Sequence, residues 1–203
     1  MVKHIDCRSN LCGTMTPNET SEPKSHEDRE PTGDDYTVPL AEARVQVEAA
    51  ITRLALLHLA FSKMLVDEFG FKKGKDMIMR SILQYGRWVG ERMKRGLPDY
   101  PSAKYGAYVE CDNGKVYDCV LARIFREYGE LDLGGLYCYV DPAKIMAVDL
   151  SKKLVHNDCA AFGDEYCTFA ELPTCEKERS DFTKSGLDWK YVDARLARGT
   201  KDR

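Results

Sequence analysis

The chain has 203 residues, 43% of them hydrophobic, with 30 basic and 33 acidic side chains and a net charge of −3. This composition is sufficient for one folded core, and without a net positive charge a nucleic-acid partner is disfavoured. The first residues lack an apolar signal segment and no window of eighteen residues is uninterruptedly apolar, so we expect a cytoplasmic protein without a membrane span, whose cysteines are free thiols.

The composition divides the chain into three parts. Residues 1–39 are rich in proline and acidic side chains and are expected to form a disordered acidic tail. Cys7 and Cys12 lie in this tail, but their spacing is not that of a zinc knuckle. We expect a single α+β domain over residues 40–175 and a charged C-terminal extension over residues 176–203.

Two helices are predicted in the first half of the domain. The first runs from Pro39 to Phe69 and ends at Gly70, and the second runs from about Lys73 to Arg95. We expect them to be antiparallel and to pack together. The apolar positions assigned to their inner faces are Val45, Ala49, Leu54, Leu57, His58, Phe61, Leu65 and Phe69, then Met77, Ile78, Ile82, Trp88, Val89 and Met93.

The sequence of the second half of the domain predicts two hairpins. Asn113-Gly114 is the two-residue turn of the first, between strands 108–111 and 115–117. The second spans residues 155–170. A short helix follows Cys119 and ends at Gly129, whereas the apolar segment 134–150 is compatible with a helix or a strand. The expected fold is α+β, with the two long antiparallel helices packed on a small antiparallel sheet of about four strands.

The turn of the second hairpin leaves two registers open. A two-residue loop at Gly163-Asp164 places His156 and Cys167 on one face and Cys159 on the other. A three-residue loop that begins at Phe162 places Cys159 opposite Cys167, with His156 on the other face. The first register favours a Cys–His–Asp set, and the second favours a thiolate metal pair or simple packing.

Several short motifs carry a family resemblance between about residues 45 and 170. They are Gly86-Arg87, Gly90, Cys119, Gly134-Gly135-Leu136-Tyr137-Cys138 with Asp141, Gly163-Asp164 and Cys167-Thr168-Phe169. These motifs resemble the L-2-amino-thiazoline-4-carboxylic acid hydrolase family. The resemblance implies a hydrolase that opens a five-membered cyclic amidine to an S-carbamoyl amino acid. A fainter resemblance, through the paired helices and the late hairpin, is to the 4-vinyl reductase and haem–nitric oxide binding domains.

Four residues are predicted to carry the hydrolysis. Cys138 and Cys167 are candidates for a nucleophile or a polar anchor, and Asp141 and His156 for the acid–base groups. Each also has a structural interpretation, since a buried cysteine packs well, Asp141 precedes Pro142 as a helix cap does, and His156 would be exposed on a strand.

Four further residues are predicted to bind the substrate, a small molecule. Arg87 would pair with a carboxylate, because its planar guanidinium matches the two carboxylate oxygens. The alternative is that Arg87 is solvated, and that His58 is an ordinary core histidine. The residues predicted to bind substrate are His58, Arg87, Tyr137 and Asp164.

No cofactor is predicted for the hydrolase. The alternative function is a non-enzymatic binding module that holds a metal or a haem through Cys119, Cys159 and Cys167. Cys119 opens a helix, a position that can lower a thiol pKa. The C-terminal extension around Trp189 is expected to dock on the core or on a partner subunit, which would make the protein a homo-oligomer.

Overall fold

The computed structural model describes residues 37–96, 110–112, 114–184 and 189–199. The predicted N-terminal tail, with Cys7 and Cys12, lies almost wholly outside these residues. The described chain combines helices with short antiparallel strands, which confirms the α+β class.

The first two helices meet at a single glycine. Helix α1 spans Leu40–Phe69 and helix α2 spans Phe71–Lys94. Gly70 between them has a φ of +78°, a left-handed conformation that side chains other than glycine rarely adopt. Helix α2 then lies against α1 at Gly74, where an added Cβ would be only 2.7 Å from the Leu65 carbonyl oxygen.

Helix α1 buries a narrower side than predicted. Its fully buried residues are Ala55, Leu59 and Ser62. The prediction was wrong for five inner-face positions of α1 and for Trp88 of α2, because apolar residues surround much of α1 and periodicity could not select its buried side. The exposed residues are Val45 (63%), Ala49, Leu57 (54%), Phe61 (57%), Phe69 (40%) and Trp88 (63%).

Within the part of the chain that is described, α1 is also the helix that could cross a membrane by length and composition. Its best 18-residue window has a mean hydropathy of 1.5, with 22% of that window buried. Core helices of soluble proteins pass the same test, so this property does not assign the protein to a membrane.

The strands form two antiparallel pairs. Strands β1 (Glu110–Asp112) and β2 (Lys115–Tyr117) flank the two-residue turn at 113–114, which confirms the first hairpin. Strands β3 (Lys152–Asp158) and β4 (Thr168–Pro173) form the second pair. An isolated bridge between Val116 and Cys167 joins the pairs, so the strands do not form the single regular sheet predicted.

The ambiguous segment between the hairpins is helical. Two of its glycines are required by close packing, because an added Cβ would lie 2.1 Å from the Phe125 ring at Gly134 and 2.4 Å from the Phe162 ring at Gly135. The last helix of this segment contacts both α2 and β3, and so stands between them. The elements are α3 (Val120–Glu127), α4 (Leu131–Gly134), a 3-10 helix (Gly135–Tyr139) and α5 (Val140–Val148).

The C-terminal residues complete the core. Trp189 is only 3% exposed and its ring lies against those of Tyr139 and Phe182. The predicted docking on the core is thereby confirmed, and the core continues past residue 175. The elements beyond that point are α6 (Glu176–Thr183), a 3-10 helix (Lys190–Val192) and α7 (Ala194–Gly199).

Candidate functional site

Three donor side chains from separate elements meet beside β3. Cys138 belongs to the 3-10 helix before α5, His156 to β3, and Cys159 to the residues that follow β3. One donor atom from each lies within 4.8 Å of the other two. The two sulfur atoms are 3.8 Å apart. His156 and Cys159 are buried, whereas Cys138 keeps partial exposure.

A buried carboxylate fixes the orientation of His156. The Asp193 Oδ2 atom accepts the His156 backbone N–H at 2.8 Å and lies 2.9 Å from His156 Nδ1. A carboxylate only accepts hydrogen bonds, so Nδ1 carries a proton and donates it to Asp193, which leaves Nε2 to face the other neighbours of the ring. Burial alone would raise the pKa of Asp193, but the hydrogen bonds from His156 and from the Leu196 N–H hold it below its usual value.

Asp141 faces the other nitrogen of the same imidazole. Its Oδ2 atom lies 3.5 Å from His156 Nε2, and its Oδ1 atom accepts a hydrogen bond from Lys144. The residue at the N-cap of α5 is Tyr139, so the helix-cap interpretation of Asp141 was wrong. Because the segment is helical, Cys138 and Asp141 lie three residues apart on one side of the chain, as the helical alternative required.

The thiols of the site are poor acids. The hydrogen bond that Cys159 donates to Cys138, together with burial, raises the pKa of Cys159. The same hydrogen bond lowers the pKa of Cys138, but burial and nearby acidic groups together have the larger effect, so the pKa of Cys138 is also above its usual value. The interaction of Cys167 with Cys159, together with burial, raises the pKa of Cys167. Without a cation, these thiols are therefore protonated at neutral pH, which disfavours a resting thiolate nucleophile.

Cys119 is the N-cap residue of α3, as the sequence indicated, but its thiol is not activated there. Burial raises the pKa of Cys119 to about 11, although hydrogen bonds with the Ala122 and Leu121 backbone oppose this shift. The expectation that the helix start would lower the pKa was wrong, because desolvation is the larger effect at this site.

The second hairpin has neither of the two registers considered. His156 pairs with Phe169 and Asp158 with Thr168, with an irregularity at residue 157, so the loop covers residues 159–167. A 3-10 turn (Ala160–Phe162) fills that loop and its Ala160 N–H donates to Cys167 Sγ at 3.2 Å. Gly163 has the positive φ (+98°) expected of a turn residue, but the prediction of a two- or three-residue turn was wrong, because the strands are joined by the longer loop 159–167.

Asp164 positions Cys159. Its Oδ2 atom accepts the Cys159 backbone N–H at 2.6 Å and a hydrogen bond from Arg195 Nε at 2.8 Å. Burial would raise the pKa of Asp164, but these two partners keep it lower than usual. The structure thus places this predicted substrate-binding residue behind the donor cluster, tied to α7.

Two other predicted binding residues lie together next to the site. The Tyr137 ring packs edge-on against the His58 ring, and the Tyr137 hydroxyl lies 3.4 Å from the Tyr85 hydroxyl. His58 Nε2 lies 3.1 Å from the Leu133 carbonyl oxygen, which accepts its hydrogen bond. Burial raises the pKa of Tyr137 and lowers that of His58, so both side chains are neutral at pH 7.

Arg87 lies against Phe182 rather than in the donor cluster. Its guanidinium carbon is 4.8 Å from the centre of the Phe182 ring. Its Nη2 atom is buried and has no hydrogen-bond partner among the described residues. Burial lowers the pKa of Arg87 below its ordinary value, although a guanidinium stays charged at neutral pH.

Sequence reasoning missed Asp193, which it had assigned to a charged extension. The available signal was an aspartate directly before the short helix α7, an ordinary N-cap pattern. Its two oxygens are both used, since Oδ1 accepts the Arg195 and Leu196 backbone N–H groups at 3.0 Å while Oδ2 binds His156. The sequence therefore indicates that Asp193 caps α7, but it does not indicate the contact of Asp193 with His156.

No family model, no curated protein and no solved structure matches this chain. The substrate class proposed below comes from the resemblance of the sequence motifs, and the residue roles come from the geometry of the site.

Two surface hollows lie elsewhere, along α1 and α2. One, of about 440 Å³, is lined by residues that include Phe71, and the other, of about 600 Å³, by residues that include Trp88. Neither is lined by a residue of the donor cluster. Cys138 of the cluster and the neighbouring Asp141 are partly exposed residues, whereas His156 and Cys159 are buried.

Proposed function

We propose that the protein hydrolyses a C–N bond in a small cyclic amidine or amide, similar to 2-amino-thiazoline-4-carboxylate. One observation supports this proposal above the others: Cys138, Asp141 and His156 were selected from sequence as site residues, and they converge on one space. Protonated thiols beside one carboxylate and one oriented imidazole are groups that can bind a polar heterocycle and exchange protons with it.

Asp141 and His156 are the acid–base pair in this proposal. One accepts a proton from the attacking water, and the other returns a proton to the ring nitrogen as the C–N bond breaks. Asp193 stabilises the imidazolium that forms when His156 Nε2 takes a proton. Since burial keeps the thiols of Cys138 and Cys167 protonated, we assign them the role of polar anchors.

The substrate-binding roles follow from position. Tyr137 and His58 form an aromatic wall next to Cys138, suited to a flat ring. Arg87 has an unsatisfied buried nitrogen, which a substrate carboxylate could satisfy if it reached the space beside Phe182. Asp164 contributes by holding Cys159.

The test is turnover of a panel of cyclic amidines and amides, with 2-amino-thiazoline-4-carboxylate first, followed by mass spectrometry for the addition of one water. Asp141→Asn and His156→Gln should each lower kcat/KM by about 100-fold or more. Glu171→Gln, an exposed carboxylate paired with Lys152, is the matched control and should leave the rate unchanged. Equal rates in all variants would reject the assignment.

A second candidate is the non-enzymatic binding module that holds a metal or haem. The Cys–His–Cys donors favour it, because thiolate and imidazole groups that lie close together are the ligands that zinc and other transition metals take in proteins. A protein that binds a stoichiometric metal or shows a haem spectrum, yet turns over no member of the panel, would be such a module.

A further inference from the structure

We propose that Cys138 Sγ, Cys159 Sγ and His156 Nε2 bind one Zn²⁺ ion, with Asp141 beside its fourth coordination position. The proposal depends on the positions of the donors and not on hydrolysis, so it can be correct whether or not the protein is a hydrolase.

The donor spacing matches a tetrahedral zinc site. With Zn–S distances of about 2.3 Å and a Zn–N distance of about 2.0 Å, two sulfur ligands are about 3.8 Å apart and sulfur and nitrogen about 3.5 Å apart. The Cys138 and Cys159 sulfur atoms are 3.8 Å apart, and the imidazole donor lies within 4.8 Å of both. The imidazole nitrogen therefore needs to move by no more than about 1.3 Å to complete the set.

The charges of the neighbouring groups also call for a cation here. Asp193 Oδ2 lies 2.9 Å from His156 Nδ1, and Asp141 Oδ2 lies 3.5 Å from His156 Nε2, so two carboxylates flank one imidazole. Positive charge at Nε2 is therefore favourable, whether a proton or a metal ion supplies it. A zinc ion bound to Nε2 supplies that charge.

Two carboxylates hold the donor residues in place through hydrogen bonds, as partners of metal ligands commonly do. Asp193 orients His156, and Asp164 fixes the backbone of Cys159 while it binds Arg195. Thiolate and imidazole donors select Zn²⁺ over Mg²⁺ and Ca²⁺, which take oxygen ligands. Cys167, whose sulfur accepts the Ala160 N–H, remains outside the ligand set.

Three protein ligands leave one position for water, as in catalytic zinc sites. Zinc lowers the pKa of such a water to about 7. The water oxygen then bonds to the amidine carbon, its proton passes to Asp141, and that proton moves to the leaving nitrogen as the C–N bond breaks. In this form His156 is a ligand, and Asp141 alone carries the acid–base chemistry.

The experiment measures metal directly. The full chain is reduced, stripped with a chelator, supplied with Zn²⁺, dialysed against metal-free buffer and analysed for zinc by mass spectrometry; Co²⁺ replaces Zn²⁺ for absorption spectra. We expect about one ion per chain and the visible bands of tetrahedral Co²⁺ with thiolate charge transfer. Cys175→Ser, which changes an exposed thiol, is the matched control, and the double variant Cys7→Ser/Cys12→Ser excludes a site in the N-terminal residues.

Cys138→Ser, Cys159→Ser and His156→Gln should each weaken Zn²⁺ binding by more than about 100-fold, and Asp193→Asn by about 10- to 100-fold. A wild-type chain without zinc overturns the proposal, as does a chain that loses zinc only in the Cys7/Cys12 variant. If the site variants do not fold, the proteins that keep the site decide: Co²⁺ must give the thiolate charge-transfer bands in Cys7→Ser/Cys12→Ser and in Cys175→Ser, and absence of these bands overturns the proposal.

Turnover is a separate readout. Zinc binding without turnover rejects the hydrolase and leaves the metal site standing. Turnover by the stripped protein at the full rate shows a hydrolase that does not use zinc in catalysis.

Discussion

The Asp193 carboxylate holds both the backbone N–H and the Nδ1 atom of His156, which lies 37 residues earlier in the chain. The same carboxylate caps α7 through the Arg195 and Leu196 N–H groups. One fully buried side chain thus connects the C-terminal helix to the donor cluster. The folding of the C-terminal residues and the chemistry of His156 are therefore coupled.

We expect Asp193→Ala to destabilise the protein by about 3 to 5 kcal/mol, because it leaves the buried imidazole N–H and two helix N–H groups without an acceptor. Asp193→Asn should cost less, since its amide oxygen can still accept from the helix. Urea unfolding followed by circular dichroism measures both values, with Glu171→Gln as the exposed control. Equal stability of Asp193→Ala and wild type would show that the cap and the imidazole bond are not formed.

The fold was predictable to the extent that local signals determine it. The stop at Gly70 and the two-residue turn before β2 follow from backbone conformations that glycine favours, and both predictions are confirmed. The side of α1 that faces the core was not predictable, since Ala55 and Ser62 are buried while Phe61 is exposed. That choice depends on which elements approach the helix.

The candidate site shows the same limit. The family resemblance selected Cys138 and Asp141, and residue type selected His156; the donor groups of the three lie together in the structure. The pKa of Cys119 could not be predicted from its place at a helix start, because burial is a property of the complete fold. Asp193 was recognisable as a cap, but its contact with His156 joins two distant segments.

The thiols should differ in reactivity in the metal-free protein. Burial raises the pKa of Cys119 to about 11, whereas Cys175 is exposed. Because only the thiolate is alkylated, we expect Cys119 to react with iodoacetamide at pH 8 about 100-fold more slowly than an ordinary thiol. Peptide mapping by mass spectrometry measures the two rates, which should converge in 8 M urea. Faster labelling of Cys119 than of Cys175 in the native protein would contradict the burial of its thiol.

His58 should make the protein less stable in mild acid. Burial lowers its folded-state pKa below the ordinary value of 6.5, so below that pH the unfolded chain binds more protons than the folded one. The free energy of unfolding therefore falls as the pH drops through this window, by up to about 1.4 kcal/mol per pH unit from this group. Urea unfolding at pH 7.5, 6.5 and 5.5 should show a shallower decline for His58→Gln, with His4→Gln as the control. Parallel declines in all three proteins would mean that His58 charges freely in the fold.

The buried side of α1 can be tested by two leucines that lie two residues apart. Leu59 is 3% exposed and Leu57 is 54% exposed. Leu59→Ala should destabilise by about 2 to 5 kcal/mol because it leaves a cavity, whereas Leu57→Ala should change stability by less than about 0.5 kcal/mol. Thermal and urea unfolding provide the comparison. A larger destabilisation by Leu57→Ala than by Leu59→Ala would mean that the side of α1 predicted from periodicity faces the core.

The contact of α2 with α5 should not tolerate a methyl group at Gly86. An added Cβ would lie 2.4 Å from the Ala143 Cβ atom, and at Gly90 it would lie 2.4 Å from the Lys144 carbonyl oxygen. Alanine is the better helix former by about 1 kcal/mol, but such overpacking costs about 1 to 3 kcal/mol and also displaces α5, which carries Asp141. We therefore expect Gly86→Ala to lower the unfolding midpoint and weaken Zn²⁺ binding, while Ser81→Ala on the exposed side of α2 does neither. A Gly86→Ala protein as stable as wild type, with unchanged zinc affinity, would show that the two helices separate without cost and that the position of Asp141 does not depend on their contact.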